Sequence, residues 1–301
     1  MYTQFFGNYL LNKNVITQEQ LLAALDKQAT TRVKIGALAI HAGYMTASEV
    51  EQIFIMQTHQ DKRFGELAIE KGYLSQKQLD ELLDLQLPDY IILGQILADQ
   101  GILTPVQLER HITDYRSEYE ILDLDLNSEQ KDMVEHLLEN INFEESALQK
   151  EYVIDYLLLL FNNLIRFIGN DYTPLNILKL SEIPTAHCVT QDMGCPIFHV
   201  SSALDTDEAT AIAFASRYAH DEFSEFDEFV RASMEDFVNL HNGLFLVNMS
   251  NNYSIEMTLQ PPIYSENKIL ETSNTTYLFP ILFPFGMINF ICSIYEMNPE
   301  E

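Results

Sequence analysis

Four glycines, Gly7, Gly36, Gly65 and Gly94, recur at intervals of 29 residues. A period of that length confines the first third of the chain to copies of one small supersecondary unit. An apolar residue follows each glycine two positions later, at Tyr9, Leu38, Leu67 and Ile96. Seven positions after the glycine stands Asn14, Gly43, Gly72 or Gly101, types that accept the left-handed backbone closing a helix. A second helix then opens with Thr17-x-x-Gln20, Thr46-x-x-Glu49, Ser75-x-x-Gln78 or Thr104-x-x-Gln107. Each is a capping box, in which hydroxyl and carboxylate or amide reciprocally satisfy free backbone N–H groups. Pro105 stands at a first helical position, where its missing donor does no harm. Apolar residues four apart line each second helix: Leu21 and Leu25, Val50 and Phe54, Leu79 and Leu83, Leu108 and Ile112. One copy cannot bury such a stripe, but four packed together can. The expectation for residues 1–116 is therefore an all-helical module of four repeats.

These repeats resemble the N-terminal domain of the ATPases of type II secretion and type IV pilus systems. The pattern there is Leu-Gly, aliphatics, Gly, Thr or Ser, Gln-Leu and a closing Gln. Gln28, Gln57 and Gln86 match the closing position and Tyr115 departs from it. The resemblance covers about residues 5–116 and implies an interaction module, with a secretion or pilus component as partner. Some members of that family bind cyclic di-GMP through arginines placed before the Leu-Gly. The equivalent positions here hold Phe5, Lys34, Arg63 and Ile92, so a ligand with two phosphates finds one arginine.

The 301 residues suffice for two domains. With 17 basic against 45 acidic residues, the net charge of −28 sets the chain against nucleic-acid phosphates and anionic lipid surfaces. Proteins, cationic patches and metal-carrying partners are the targets this charge favours. Cys188, Cys195 and Cys292 have no metal-site spacing. An odd number of cysteines fits a reducing compartment, and the N-terminus lacks the pattern of a secretory signal; a cytoplasmic location is expected. The histidines do not cluster in sequence, and no glycine-rich phosphate loop, nucleophile elbow or kinase signature is present. No metal or cofactor is expected. Tyr277 to Tyr295 is long and apolar enough to suggest a membrane segment, but it contains Pro280, Pro284, Gly286 and Asn289. It reads instead as a buried hairpin turning at Phe285-Gly286, without membrane insertion.

Residues 117–147 lack the repeat and are rich in acids, so they read as a partly helical linker, with an amphipathic helix over 130–140 using Met133, Leu137 and Leu138. Residues 148–301 read as an α+β domain with an antiparallel sheet. A core helix spans Tyr152 to Ile168, and strands are expected at Ile177–Leu180, Cys188–Thr190 and Ile197–Ser201. A small-residue helix follows from Ala209 to Ala219, opened by Thr206-Asp207-Glu208, then a longer helix from about Ser224 to Asn242. Strands are again expected at Leu244–Met249 and Ser254–Leu259, before the hairpin.

This order of elements resembles the CheX, CheC and FliY family of response-regulator phosphatases. That family has Glu-x-x-Asn on a helix, a glycine four residues after the Asn, and a proline after 22 further residues. Here the pattern is Asp236-x-x-Asn239, then Gly243, then Pro262, with 22 residues between Asn239 and Pro262. The resemblance covers about residues 150–297. It implies a phosphorylated response regulator as partner, Mg2+ supplied by that regulator, and a homodimer.

The chemistry of an aspartyl phosphate explains the residue types. Hydrolysis needs water in line with the leaving carboxylate, and a phosphatase that borrows its partner's metal has chiefly to position that water. An asparagine does so without adding charge, and an acid one turn earlier on the same face would pair with the receiver's lysine. The resemblance assigns these roles to Asn239 and Asp236. Asp236 is one methylene shorter than the family's glutamate, about 1.5 Å less reach. Glu235, one turn before Asn239, is an alternative acid whose direction differs by about 100°. Ala232 replaces the Asp or Ser common four residues earlier, and with Gly243 it leaves room for a partner. An asparagine ahead of a glycine is also a common helix end, and His241 reads as an incidental surface histidine. Three readings stand: a phosphatase, a non-catalytic adaptor for a response regulator or secretion component, and a cyclic di-GMP sensor.

Overall fold

Close approach of two helices at a glycine builds the second, third and fourth repeats. The computed structural model describes residues 2–28, 34–57, 62–84, 89–118, 126–138, 147–195, 198–271 and 276–296. The chain divides into two compact units, residues 2–129 and 130–301. The first holds α1 (Tyr2–Asn12), α2 (Gln18–Gln28), α3 (Ile35–His41), α4 (Ala47–Gln57), α5 (Phe64–Glu70), α6 (Gln76–Asp84), α7 (Asp89–Asp99) and α8 (Pro105–Glu118). All four capping boxes form. The hydroxyls of Thr17, Thr46, Ser75 and Thr104 accept from the backbone N–H three residues on. Gln20, Glu49, Gln78 and Gln107 accept in return from the backbone N–H of the capping residue. Asn14, Gly43, Gly72 and Gly101 take φ of 54°, 69°, 75° and 70°, the left-handed closures expected.

The first glycine of each of the last three repeats has a different task. A Cβ on Gly36 would come 2.8 Å from Val50 Cγ1, on Gly65 2.7 Å from Leu79 Cδ2, and on Gly94 2.5 Å from Leu108 Cδ1. The first residue of the apolar stripe on α4, α6 and α8 is thus seated on the glycine of α3, α5 and α7. The array also closes on itself, because α1 packs on α7 and α8. Tyr115 is fully buried there, with ring centroids 5.0 Å from Phe6 and 5.3 Å from Tyr9. This explains why the last repeat abandons the closing glutamine. Of the positions preceding each glycine, Phe5 is buried, and Lys34 Nζ lies 2.6 Å from Asp99.

The second unit begins within α9 (Leu126–Leu138), which buries Met133, Val134 and Leu138. There follow α10 (Ala147–Phe167), β1 (Thr173–Pro174), β2 (Glu182–Pro184), β3 (His187–Cys195), β4 (Phe198–Thr206), α11 (Glu208–Ala219) and α12 (Glu228–Tyr253). The rest is β5 (Thr258–Leu259), β6 (Ile263–Glu266), β7 (Ile269–Glu271), β8 (Thr276–Phe283) and β9 (Gly286–Glu296). An antiparallel sheet runs β1-β8-β9-β4-β3-β5, with β6 also pairing β3. The hairpin expected in the apolar C-terminal segment is β8–β9; Phe283 pairs with Gly286, so the turn is Pro284-Phe285, one residue earlier than expected. Among the described residues no helix is long and apolar enough to cross a membrane. Helices α10, α11 and α12 pack on the sheet through contacts with β3, β4 and β9. The small β2–β7 pair contributes Ile183 and Leu270 to a cluster with Cys188, Ala203, Leu278 and Ile291.

Three expected strands are corrected. Leu244–Met249 is helical and belongs to α12. Of Ile177–Leu180, only an isolated bridge from Leu178 to Leu278 forms, and of Ser254–Leu259 only β5.

The glycine seat yields a test. Val50 is β-branched and cannot swing away, so Gly36→Ala is expected to destabilise the first unit by about 1–3 kcal/mol, the usual cost of overpacking. Adding Val50→Ala should restore part of this loss, giving a double-mutant coupling in denaturant melts. Strictly additive effects would show that the two helices do not meet at Gly36.

Candidate functional site: a cleft on α12

One helix carries most of the site, and its ends are fixed by side-chain and backbone caps. The Asp227 carboxylate accepts from the N–H groups of Phe229 and Val230, and Ser254 ends the helix at φ 57°. Val230, Met234, Phe237, Val238, His241, Asn242, Phe245 and Met249 recur three and four apart and are buried. The ring of Phe237 meets Phe214 of α11 at 5.2 Å and Phe290 of β9 at 6.1 Å, and Phe245 meets Tyr156 of α10 at 5.3 Å. This anchoring leaves Ala232, Asp236, Asn239 and Gly243 together on the outward face.

A cleft of about 720 Å3 opens over this face. Glu235, Asp236 and Asn239 line it, with Pro262 from the β5–β6 loop and Tyr218 from the last turn of α11. Four of the five residues singled out in the sequence therefore meet in one place, and Gly243 lies one turn beyond the lining. Asp236 is exposed, and its Oδ2 accepts a hydrogen bond of 2.6 Å from the Tyr218 hydroxyl. Burial, reinforced by that bond to Asp236, pushes the Tyr218 phenol well above its ordinary pKa, so it stays a donor. Glu235 pairs instead with Arg231 of its own helix, 3.7 Å away.

Asn239 is exposed but held from beneath. Its Oδ1 accepts from Gln191 Nε2 of β3 at 2.9 Å. The same nitrogen donates to the Gln260 carbonyl at 2.8 Å, while Asn242 Nδ2 donates to Gln191 Oε1 at 2.8 Å. Asn239 is not a helix end, since α12 continues for a further 14 residues to Tyr253. The arrangement offers an oriented carboxamide beside a carboxylate, in a cleft that also exposes the apolar Phe229.

His241 is not on the surface. It is buried, its Nδ1 lies 3.1 Å from Asn163 Nδ2, and its ring stands edge-on to Tyr156 at 4.5 Å. Tyr218 and Gln191 escaped the sequence reading because each acts across the fold, 18 and 48 residues from the group it binds. No local pattern marks either.

No family model matches the sequence, and no curated protein matches it. Solved structures do. The chain is similar to a CheC-like superfamily protein from Shewanella sp. PV-4, at 16% identity and TM-score 0.43, over 48% of this chain and 97% of that one. The chemotaxis protein CheX of Vibrio vulnificus gives 14% identity and TM-score 0.43, over 48% and 99%. A chain from the CheX–CheY–BeF3–Mg2+ complex of Borrelia burgdorferi gives 17% and TM-score 0.40, over 48% and 98%.

Two predictions follow from these placements. Gly243 has ordinary helical backbone, and a Cβ there would meet nothing within 4 Å. Gly243→Ala should therefore stabilise the second unit by about 1 kcal/mol, the helix-propensity difference, read as a higher unfolding midpoint. Burial pushes the His241 pKa down from 6.5 to about 3. Below pH 6.5 the unfolded chain gains a proton that the folded chain does not. The stability tied to neutral His241 is thus complete above pH 6.5 and drains away as pH falls toward 3. In denaturant titrations, His241→Gln should remove about 1.4 kcal/mol per pH unit of that dependence.

Proposed function

We propose that the second unit is a phosphatase for the aspartyl phosphate of response-regulator receiver domains, which dock on the outward face of α12. The observation that carries this reading is the placement of Asn239, an exposed carboxamide with a fixed orientation, one helical turn from an exposed carboxylate. Asn239 holds a water in line with phosphorus. The water oxygen forms a bond to phosphorus as the bond from phosphorus to the receiver's aspartate oxygen breaks. The electron pair of the broken bond stays on the aspartate carboxylate, and the proton of the water leaves with the phosphate. Mg2+ belongs to the receiver and offsets the charge on the phosphoryl oxygens.

Asp236 is the docking acid. Tyr218 occupies Oδ2, leaving Oδ1 for the ammonium of a receiver lysine. Holding the short side chain in one direction supports its use in place of a glutamate. The resemblance of the Asp236, Asn239, Gly243 and Pro262 pattern to the CheX, CheC and FliY family supports the same reading.

The test is phosphate release from receivers of the same genome charged with acetyl phosphate. The protein should accelerate release from at least one receiver, and Asn239→Ala should reduce that acceleration by about 100-fold. Asp236→Ala should mainly raise KM. Binding of a phosphorylated receiver without faster release would replace this reading with that of an adaptor.

A further inference from the structure

We propose that Gln191 is a positioning residue that decides which way round the Asn239 carboxamide faces; its catalytic consequence rests on the phosphatase reading. Gln191 lies on β3 beneath α12 and is 1% exposed. Two backbone carbonyls, which can only accept, set the direction of the donors around it. The Gln260 carbonyl lies 2.8 Å from the Gln191 amide and requires its nitrogen on that side. The same nitrogen lies 2.9 Å from Asn239, which must therefore turn Oδ1 inward and its NH2 group toward the cleft. On the far side, Gln191 Oε1 accepts from Asn242, whose amide also donates to Ser202 Oγ at 2.7 Å. The Ser202 hydroxyl donates in turn to the Gln191 carbonyl at 3.3 Å.

Reversing the Gln191 amide would set oxygen against oxygen at Gln260 and at Asn239, and nitrogen against nitrogen at Asn242. Buried groups left unpaired in that way exclude the reversed state. An unsupported asparagine on a helix surface would present either end of its amide. Here the cleft receives an N–H donor, able to hold a water oxygen while a lone pair of that oxygen faces phosphorus. The β5–β6 loop that carries Pro262 into the cleft also supplies the Gln260 carbonyl, so the loop fixes both the wall of the cleft and the polarity of its asparagine.

Solvent exchange of side-chain amide protons, followed by NMR on the full chain labelled at Asn and Gln, reads this polarity directly. The Gln191 protons should be protected, while those of Asn239 exchange as an exposed amide does. Protection of the Asn239 protons instead would overturn the proposal, whether or not any receiver is turned over. The functional arm uses Gln191→Glu, which keeps shape but loses both donors, and Gln191→Met, which keeps volume. Each should lower kcat on a phosphorylated receiver by about 10- to 100-fold with KM within about twofold. In an Asn239→Ala background neither should lower kcat further, since Gln191 acts through Asn239. An unchanged kcat, or an equal further loss in that background, would show that Gln191 only supports the fold. Absence of turnover by the unaltered protein sinks the phosphatase reading alone, because the exchange pattern still decides the orientation.

Discussion

One-sided burial of α12 is the constraint on which the second unit depends. Phe237, Phe245 and Met249 are fully buried along a 26-residue helix, about 39 Å long at 1.5 Å per residue. Each such side chain contributes roughly 1.5–3 kcal/mol when withdrawn from water. Contacts with α10, α11, β3 and β4 fix the rotation of the helix about its own axis. Once that rotation is fixed, the stripe of Ala232, Asp236, Asn239 and Gly243 must face outward. Side chains held on a packed helix are placed more accurately than side chains on a loop.

The same interface contains polar groups that an apolar core would avoid. Gln191, Ser202, Asn242, Asn163 and His241 are all buried between α10, α12 and the sheet. Several are well paired, but His241 Nε2 and Asn242 Oδ1 are buried without a partner among the described residues. An unpaired buried group costs about 1–3 kcal/mol. Such a cluster penalises a slip of α12 by one turn, which would break the pairs that do form. It therefore specifies the register of the helix on the sheet, and the register sets the position of Asn239.

The two units were unequally legible in the sequence. Capping boxes and left-handed closures are local devices, so Thr46-x-x-Glu49 and Gly43 could be read directly from the residues. The contact of Gly94 with Leu108, and the burial of Tyr115 against Phe6, were hidden because they join distant positions. In the second unit, Gly243 reads as a helix stop, and the aromatic and β-branched residues from Leu244 to Met249 read as a strand. Helical spacing of the buried Phe245 and Met249 overrides that local preference. His241 was misplaced for the same reason, since a helix ending near Asn242 would leave it at a frayed terminus. Asp236 and Asn239 were legible as one helical face from their spacing and Pro262 only through the family pattern, whereas the support from Tyr218 and Gln191 was not legible at all.

Two kinds of glycine occur in the chain, one required by contacts within the fold and one that is not. Gly36, Gly65 and Gly94 are held by contacts within the chain, because a Cβ on any of them would strike a neighbouring side chain. Gly243 has no such contact, and its backbone is one that any residue adopts. A mid-helix glycine costs about 1 kcal/mol relative to alanine, and among the described residues no close contact requires one at 243. Under the proposed docking of a receiver, this bare patch of helix one turn beyond Asn239 would let the partner's backbone approach α12 closely. The apolar Phe229 at the other end of the stripe, 61% exposed, fits the same use. Asp236 and Asn239 lie between the two, at the centre of the surface a docked partner would cover.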